Sequence, residues 1–489
     1  MSSGDMGARS TVAVLERELH AGDEGENPRY WCEWAWTGEP GAVVAPGVLV
    51  EVDTGGRIVA VTPDTAAPAD AEWLPGLTIA GLANTHSHAF HRALRGRTHA
   101  GGGSFWTWRE QMYGVAERLT PDSYFRLARA VYAEMALTGI TAVGEFHYMH
   151  HAPGGKPYDD PNTMGAALVA AAGEAGIRIT VLDTCYLAGG IAPDGRHRPP
   201  EPRQARFTDG DADAWVARVD AFRPSSAHAR GGAAVHSVRA VPVDQLAPIV
   251  AWADEARAPL HAHVSEQPAE NEAAMAAYGR TPTAVLARAR ALGERTTLVH
   301  ATHLSDGDVR AIRAAEAGVC LCPTTERDLA DGIARTGDLV AAASGEKPAV
   351  RISLGTDQHA QIDMFDEMRG AELHERLRTG RRGTLDAQHL YRAGTANGHA
   401  ALGWGTATAP EAGALRPGAR ADLVNISLDS VRLAGFEPAH APGTAVFAAT
   451  AADIRHVMAD GQWIVRDRAH LSVPDTALEL GSVIRELYA

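Results

Sequence analysis

The chain has almost no lysine and little cysteine. Its 489 residues include 45 lysines and arginines, of which only Lys156 and Lys347 are lysine, so arginine carries nearly all the positive charge. The four cysteines are too few for a disulfide framework in so long a chain. Cys320 and Cys322 alternate with apolar residues, which favours a place in the core of a strand over a metal-binding pair.

Long apolar runs and basic stripes are also missing. No stretch approaches the ~18 apolar residues of a membrane span. The polar N-terminus lacks the basic-then-apolar layout of a signal peptide, so we expect a cytoplasmic protein without a membrane partner. A net charge of −15 and the lack of a basic stripe with interleaved aromatics argue against nucleic acid. An anionic ligand must therefore meet a local group of arginines.

The middle of the chain alternates short β-like runs with longer helical patterns, which is typical of parallel βα units. Eight runs of this kind predict an α/β fold with a (β/α)8 TIM-like barrel. In chain order, the predicted strands are 78–86, 140–147, 178–187, 232–239, 259–266, 296–303, 317–323 and 350–357.

The two ends of the chain have a different pattern. Residues 47–61 predict a β-hairpin with a Gly-Gly turn, and 420–426 and 454–465 predict further strands, the last broken at an Asp-Gly turn. We therefore expect both ends to pair into one small β-sandwich domain. The predicted domains are an arm at 1–28, a β-sandwich at 29–77 and 408–489, and a barrel at 78–407.

Two histidines stand two residues apart at the end of the first barrel strand. Side chains at i and i+2 of a strand point to the same face, so His86 and His88 can converge on one metal ion. The pair alone does not distinguish metal ligands from histidines hydrogen-bonded in a core. His263 with Glu266, His300 and Asp357 end later predicted strands, and a barrel of this kind gathers its chemistry at those ends.

In order and spacing these residues resemble the amidohydrolase superfamily, in its deaminase branch, over about residues 45–470. The matching pattern is H-x-H on strand one, H-x-x-E on strand five, H on strand six and D on strand eight. Within the branch, the stretches 86–93, 104–109, 144–148 and 299–304 are most similar to formimidoylglutamate deiminases. The resemblance implies hydrolysis of N-formimino-L-glutamate to N-formyl-L-glutamate and ammonia, as in histidine degradation.

The number of metal ions follows from the fourth strand. A binuclear site in this architecture needs a bridging anion, commonly a carbamylated lysine there, and residues 234–239 hold neither lysine nor carboxylate. We therefore predict one divalent ion with water in its open position. Zinc suits three imidazoles and one carboxylate best, although iron or manganese would tolerate them. The predicted ligands are His86, His88, His263 and Asp357.

Hydrolysis of an amidine carbon also needs groups that move protons. Asp357 and His300 are placed to accept a proton from water, and Glu266 to carry one to the leaving nitrogen. His300 could instead be a fourth nitrogen ligand, and His303 could replace it in either role. Glu266 could equally be no more than a salt-bridge partner at the end of its strand.

A glutamate derivative carries two carboxylates, which call for bidentate arginines and for phenol or imidazole donors. The chain departs from the resemblance at one of these positions, because the residue after Phe90 is often glutamine in that family and is histidine here. For each arginine, simple surface solvation is the alternative. The predicted substrate-binding residues are His91, Arg109, Tyr148, His236 and Arg239.

Two other functions compete with this interpretation. A related deaminase could act on another guanidino or iminated acid, or on a purine-like ring held in an aromatic slot of Phe105, Trp106 and Trp108. A non-catalytic scaffold with the same fold would be expected to have lost metal ligands, and all of them are present. We also expect a homodimer, as is common for barrels of this sort.

Overall fold

The computed structural model describes residues 27–99, 102–222, 224, 226–341, 349–406, 409 and 411–489. Most of the predicted N-terminal arm, and the predicted domain boundary at 408, lie outside them. The predicted α/β class, the barrel and the small β-domain built from both chain ends are confirmed, whereas the exact domain limits stay a prediction.

The strands of the described residues form two large sheets and one short hairpin. In chain order they are β1 Arg29–Trp36, β2 Ala45–Val52, β3 Ile58–Thr62, β4 Glu72–Ala80, β5 Leu82–Ser87, β6 Ile140–His147, β7 Arg178–Cys185, β8 Gly190–Ile191, β9 His197–Arg198, β10 Ala229–Val235, β11 Leu260–Val264, β12 Thr296–His300, β13 Gly318–Leu321, β14 Ile352–Leu354, β15 Leu423–Ile426, β16 Ile454–Ala459, β17 Gln462–Arg466 and β18 Ala469–His470.

The barrel consists of β5, β6, β7 and β10 to β14, all parallel and in chain order. A parallel bridge between Ser87 and Asp357 joins its first and last strands. Every residue of β6 and β7 is buried, as expected of strands covered on both faces. All eight predicted barrel strands are present.

The α-helices of the described residues cover the outside of the barrel and the terminal sheet. They are α1 Phe105–Ala116, α2 Pro121–Leu137, α3 Thr163–Ala175, α4 Ala212–Ala221, α5 Leu246–Glu255, α6 Pro268–Tyr278, α7 Pro282–Arg288, α8 Asp306–Ala315, α9 Pro323–Asp328, α10 Thr336–Val340, α11 Met364–Thr379, α12 Ala387–Gly394, α13 Ala396–Ala401, α14 Ala441–Phe447 and α15 Thr476–Tyr488.

Several predicted strands end earlier than expected. The predicted strands 259–266 and 350–357 stop at Val264 and Leu354. The residues that follow leave extended geometry, because Ser265 and Asp357 have φ of 52° and 42°. The strand predicted over 78–86 is divided into β4 and β5 at Gly81. A Cβ at Gly81 would lie 2.4 Å from Thr141 Oγ1, so only glycine fits this crossing between the two sheets.

The other large sheet has the strand order β18-β17-β16-β15-β4-β1-β2-β3 and so combines both chain ends. Its β2–β3 and β16–β17 hairpins lie where the glycine turns predict them. Cys320 and Cys322 are fully buried against Val299, in agreement with the core interpretation. The terminal sheet meets the amino end of the barrel, which leaves the carboxyl end open for a site.

Candidate active site

The four predicted metal ligands converge at the carboxyl end of the barrel. Their ligand atoms all lie within 4.8 Å of one another, and all four residues are buried. His86 Nε2 and His88 Nε2 are each 3.3 Å from Asp357 Oδ1, and His263 Nε2 is 3.0 Å from His86 Nε2. β5 with the residue after it, β11, and the turn after β14 carry them, as the strand-end pattern predicts.

Two of these imidazoles have a tautomer set by the backbone. His88 Nδ1 lies 3.0 Å from the carbonyl oxygen of Phe146, and His263 Nδ1 lies 3.0 Å from that of His236. Because a carbonyl only accepts, each Nδ1 donates, and each Nε2 is left bare when the ring is neutral. Bare nitrogen atoms that point at one another repel unless a cation lies among them, so the donor set fits a metal ion.

Burial and charge separate the pKa values in this group. Burial lowers the pKa of His88 to about 3 and also lowers the pKa of His86 and His263. Burial alone would raise the pKa of Asp357, but its hydrogen bond with His86 and the nearby histidines hold that pKa well below its ordinary value. Three neutral imidazoles and one carboxylate are thus presented at neutral pH, the set that a divalent cation such as zinc prefers.

The strand ends that carry the site have unusual backbone. His300 and Ala301 have φ of 67° and 52°, and Ser265, Asp357 and His359 are also left-handed. Residues other than glycine rarely adopt this conformation, and such residues cluster at functional sites. Two of these left-handed residues, His300 and Asp357, are predicted site residues.

A hydrogen-bonded chain that the sequence did not predict holds the seam between β5 and β14. Ser87 Oγ donates to Glu145 Oε2 at 2.7 Å and lies 3.1 Å from His359 Nε2. Thr356 Oγ1 lies 2.8 Å from His359 Nδ1 and accepts from Asn84 Nδ2 at 2.7 Å. These contacts tie the H-x-H strand to the turn carrying Asp357. In the sequence, the polar residues Asn84 and Ser87, beside and within the H-x-H motif, could have indicated these contacts.

Gly355 completes this seam. A Cβ there would lie 2.7 Å from the Cβ of His86 and 2.8 Å from its carbonyl oxygen. Real Cβ atoms do not approach so closely, so glycine lets the last strand lie against the first ligand.

Glu266 and His300 lie side by side next to the four ligands. His300 Nε2 is 3.6 Å from Glu266 Oε1 and 4.0 Å from Asp357 Oδ2, and His300 Nδ1 is 3.6 Å from Glu326 Oε1. His303 instead turns away, and its Nε2 lies 2.7 Å from the carbonyl oxygen of Asp331. Of the two histidines, the structure therefore brings His300 to the site.

The pKa values of His300 and of two acids near it are shifted from their ordinary values. Burial raises the pKa of Glu266, with His300 and Arg239 acting in the opposite direction. Burial would lower the pKa of His300, but Glu266, Glu326 and Asp357 raise it well above its usual value. Burial also raises the pKa of Asp331, which the sequence did not single out, to about 9. Glu266 and His300, which both have shifted pKa values, thus lie 3.6 Å apart, an arrangement suited to proton transfer.

A cavity of about 420 Å³ opens above this group. All five residues predicted to bind substrate line it, together with Glu266, His300 and Asp357. Its walls also carry the rings of Phe105, Trp108, Tyr113, Tyr186 and Phe207, of which the sequence analysis singled out Phe105 and Trp108. The structure thus brings together every predicted site residue, whereas the role of each stays a prediction.

The predicted substrate-binding side chains differ in how they are held. His91 Nε2 lies 3.1 Å from the Tyr148 hydroxyl, and the His91 ring lies 4.5 Å from that of His88 in a tilted arrangement. The Arg109 guanidinium lies 4.7 Å above Trp106 and pairs with no acid in the described residues. Arg239 lies between Glu266 at 3.6 Å and Glu270 at 3.8 Å, so its charge already faces two carboxylates.

A second group of histidines lies outside the barrel mouth. His147, His150 and Asp183 offer atoms close enough for a metal ion. However, Arg218 holds both oxygens of Asp183 at 2.8 Å, and His150 Nε2 is engaged by the Thr184 carbonyl oxygen at 2.9 Å. An arginine already supplies the positive charge there, so the geometry fits a structural ion pair.

None of the helices in the described part of the chain combines the length and apolarity needed to cross a bilayer. The model of the Amidohydrolase family matches residues 77–464.

The chain is 35% identical to formimidoylglutamate deiminase of Pseudomonas aeruginosa, over 91% of this chain and 96% of that one. It is 29% identical to 5-methylthioadenosine/S-adenosylhomocysteine deaminase of Halobacterium salinarum, over 90% and 93%. The crystal structure of an amidohydrolase from Brucella melitensis superposes with a TM-score of 0.84 at 29% identity, covering 94% of this chain and all of that one.

Proposed function

This chain belongs to the amidohydrolase family, in which it is a hydrolase of the deaminase type, and from that premise we propose that it hydrolyses N-formimino-L-glutamate to N-formyl-L-glutamate and ammonia. One observation carries the proposal. Arginines and phenols line the same cavity as three of the four converging ligands and the Glu266–His300 pair. An acyclic acid with a formimino group needs the arginines and phenols to bind its carboxylates. It also needs the ligands and the Glu266–His300 pair to hydrolyse its formimino group.

His86, His88, His263 and Asp357 would hold one divalent ion, and zinc fits this set of donors best. When bound, such an ion supplies Lewis acidity and lowers the pKa of water toward ~7. The chain's part is to hold three neutral nitrogens and one ionised carboxylate in a buried, closely spaced group.

Glu266 is the proposed carrier of the proton that the leaving nitrogen needs. Its raised pKa favours the protonated acid at the end of the cavity, and Glu266 Oε1 is within 3.6 Å of His300 Nε2. Ionised Asp357 accepts the proton that water loses as its oxygen bonds to the formimino carbon, and His300, whose pKa is raised well above its usual value, donates a hydrogen bond that stabilises the tetrahedral intermediate. The bond from that carbon to the terminal nitrogen then breaks, ammonia leaves, and the formyl group remains.

Arg109 and Arg239 favour an acidic substrate. Arg109 has no acidic partner in the described part of the chain and is available for a carboxylate. His91, Tyr148 and His236 add donors and acceptors along the same wall. His91 in place of the glutamine usual in the family offers one donor and one acceptor in a different geometry.

A purine-like ring is the second candidate substrate, because the rings of Phe105, Trp108 and Tyr186 line the cavity and a 29% identical relative is named for a deaminase of adenosine compounds. A related iminated or guanidino acid remains a third. A non-catalytic scaffold would have no use for the buried neutral ligand set.

The deciding experiment is ammonia release by the purified protein after zinc loading, with a chelated sample as control. We expect metal-dependent turnover of N-formimino-L-glutamate and little turnover of 5′-methylthioadenosine. If only the adenosine compound is consumed, the substrate assignment is wrong and the aromatic walls become the recognition surface. A homodimer, a cytoplasmic location, and no nucleic-acid or membrane partner stay predictions.

A further inference from the structure

One buried carboxyl group of the barrel has no part in the proposed reaction. Glu145 lies on β6, is completely buried and does not line the cavity. It forms no ion pair with any of the described residues. Burial of a carboxylate without a counter-charge is costly unless hydrogen bonds replace the lost water. The hydrogen bonds of Glu145 therefore indicate what this side chain does.

Both oxygens of Glu145 bind the chain next to His88. Glu145 Oε2 accepts from Ser87 Oγ, and Glu145 Oε1 accepts from the backbone N–H of Ala89, each at 2.7 Å. Ser87 and Ala89 are the residues directly before and after His88. One carboxylate thus holds the chain on both sides of a predicted metal ligand.

The residue after Glu145 holds the ring of the same ligand. The carbonyl oxygen of Phe146 accepts from His88 Nδ1 at 3.0 Å. This bond directs the imidazole only as long as the backbone of His88 stays in place, and Glu145 secures that backbone. Two consecutive residues of β6 therefore fix the ring and the main chain of His88 together.

Regular strand pairing does not hold this part of β5. The register of its pairing with β6 shifts between Asn84 and Ser87, so the ladder of backbone hydrogen bonds is interrupted there. β5 ends at Ser87, and a 3₁₀ helix begins at Ala89, whose N–H has no partner within that helix. Glu145 supplies acceptors at the point where the backbone of the sheet does not.

We propose that Glu145 is a positioning residue that fixes His88 as a metal ligand and thereby raises the affinity of the site for its ion. The inference rests on the proposed function, because it requires that His88 bind a divalent ion, but it does not depend on the substrate. Residues that orient a metal ligand typically contribute about 10- to 100-fold to metal affinity.

The test compares two buried carboxylates of the chain. Glu372 is also completely buried, and it accepts from the backbone N–H groups of Gly383 and Leu385 at 2.7 and 2.8 Å, away from the cavity lining and the four ligands. It also pairs with Arg376, so its loss should cost at least as much stability. We expect E145L and E372L both to lower the free energy of unfolding of the zinc-free protein, and E145L alone to weaken zinc binding.

Zinc affinity is measured by competition with a chromogenic chelator at about pH 8. Burial raises the pKa of Glu145 to about 7, so the carboxyl group is mostly ionised under these conditions. E145L should bind zinc about 100-fold more weakly than the wild type, and E145Q, which keeps one acceptor oxygen, about tenfold more weakly. If E145L does not fold, E145Q decides. Wild-type affinity in E145Q, or an equal loss of affinity in E372L, would overturn the proposal.

Cobalt(II) in place of zinc gives a readout that a general loss of stability would not change. The visible absorption bands of bound cobalt depend on the number and arrangement of its ligands. With saturating cobalt, E145Q should show altered bands because His88 is displaced, whereas E372L should match the wild type. Identical spectra for E145Q and the wild type would show that Glu145 does not position the ligand.

Ammonia release separates this inference from the proposed reaction. If E145L binds zinc more weakly than the wild type, but the wild type releases no ammonia from N-formimino-L-glutamate, the positioning role stands and the proposed reaction fails. If the wild type releases ammonia but wild type, E145L and E372L bind zinc equally, the reaction stands and the positioning role fails.

Discussion

At the amino end of the barrel, buried Arg178 of β7 is held by Asp422 and by Asp460 at 2.8 Å, whereas at the carboxyl end His300 is equally buried with its nearest carboxylates 3.6 Å away. Asp422 also accepts from Thr141 Oγ1 at 2.9 Å and from Asp460 N at 3.0 Å. Distances of 3.6 Å are too long for hydrogen bonds. At the amino end, Arg178 is hydrogen-bonded to its acids. At the carboxyl end, His300 lies close to its acids without hydrogen bonds.

The difference separates stability from chemistry. At the amino end, three arginines also surround the ring of Trp404, with Arg230 at 4.2 Å, Arg420 at 5.0 Å and Arg178 at 5.4 Å. These contacts join the terminal sheet to the barrel. At the carboxyl end, residues with left-handed backbone lie beside buried histidine nitrogens that have no hydrogen-bond partner, as is typical of functional sites. The comparison therefore predicts that substitutions at the two ends affect different measurements.

The largest effect is expected at the carboxyl end. Glu266→Gln should lower kcat by about 10³-fold, because it removes the proton carrier, a group worth roughly 10²–10⁴ in rate. Metal content should stay at the wild-type level, since Glu266 is not among the four ligands. The measurements are steady-state ammonia release and bound zinc by atomic emission. Near-normal turnover would exclude Glu266 from the mechanism.

A smaller effect, on a different quantity, is expected at the amino end. Asp422→Asn leaves Arg178 buried without its main counter-charge, and breaking a buried pair costs about 3–5 kcal/mol in the free energy of unfolding. The folded variant should keep kcat and KM. Urea denaturation measures the free energy of unfolding, and ammonia release measures kcat and KM. The paired variant Arg178→Met with Asp422→Asn should regain part of the stability. A change in kcat without a loss of stability would contradict the division between the two ends.

The same pair predicts a pH dependence of stability. Burial would raise the pKa of Asp422, but the charge of Arg178 lowers it to about 2. A depressed carboxyl pKa stabilises the fold above the unfolded value of ~3.9, and this stabilisation, about 2 kcal/mol, is lost as pH falls toward the folded value. The difference in the free energy of unfolding between wild type and Asp422→Asn should therefore be constant at pH 5–7 and shrink by about 2 kcal/mol as the pH falls from about 4 to 2. A difference that does not shrink at lower pH would assign the stabilisation to packing.

The smallest expected effect concerns Arg239, which lies at the carboxyl end within 4 Å of Glu266 and Glu270 but without a hydrogen bond to either. Arg239→Met should raise KM about tenfold if the arginine shares a carboxylate of the substrate. Because Arg239 also faces Glu266 at 3.6 Å, kcat should fall too and its acidic pH limit should shift. Arg203, an exposed arginine paired with Glu110 at 3.2 Å, offers a matched control as Arg203→Met. A change in KM alone would mean that Arg239 binds substrate without affecting Glu266.

The residues that the sequence could predict lie at positions with strict periodicity. His86 and His88 alternate along a strand, and His263, His300 and Asp357 follow apolar runs, so the barrel rule places them at one end. Residues 1–26 were predicted as part of an arm, and they lie outside the described residues.

Other members of the site depend on tertiary contacts that no local pattern encodes. Glu145 and Asp331 come from segments of the chain far from the ligands and meet the site only because the barrel closes. Strand ends were predicted too long because left-handed turns at Ser265 and Asp357 have no signal in residue type. The pairing of Arg239 with Glu266 and Glu270 also required the folded chain, since α6 brings Glu270 into position.

The single glycine between β4 and β5 has a consequence for how such a protein can be redesigned or can diverge. β4 belongs to the terminal sheet and β5 carries the first ligands, so the two sheets share one continuous stretch of chain around Gly81. Grafting a foreign terminal domain onto this barrel would move the ligands as well. The β8–β9 hairpin, by contrast, lies between β7 and β10, lines the cavity and carries none of the four ligands, so its residues can be replaced while the ligand strands stay as they are.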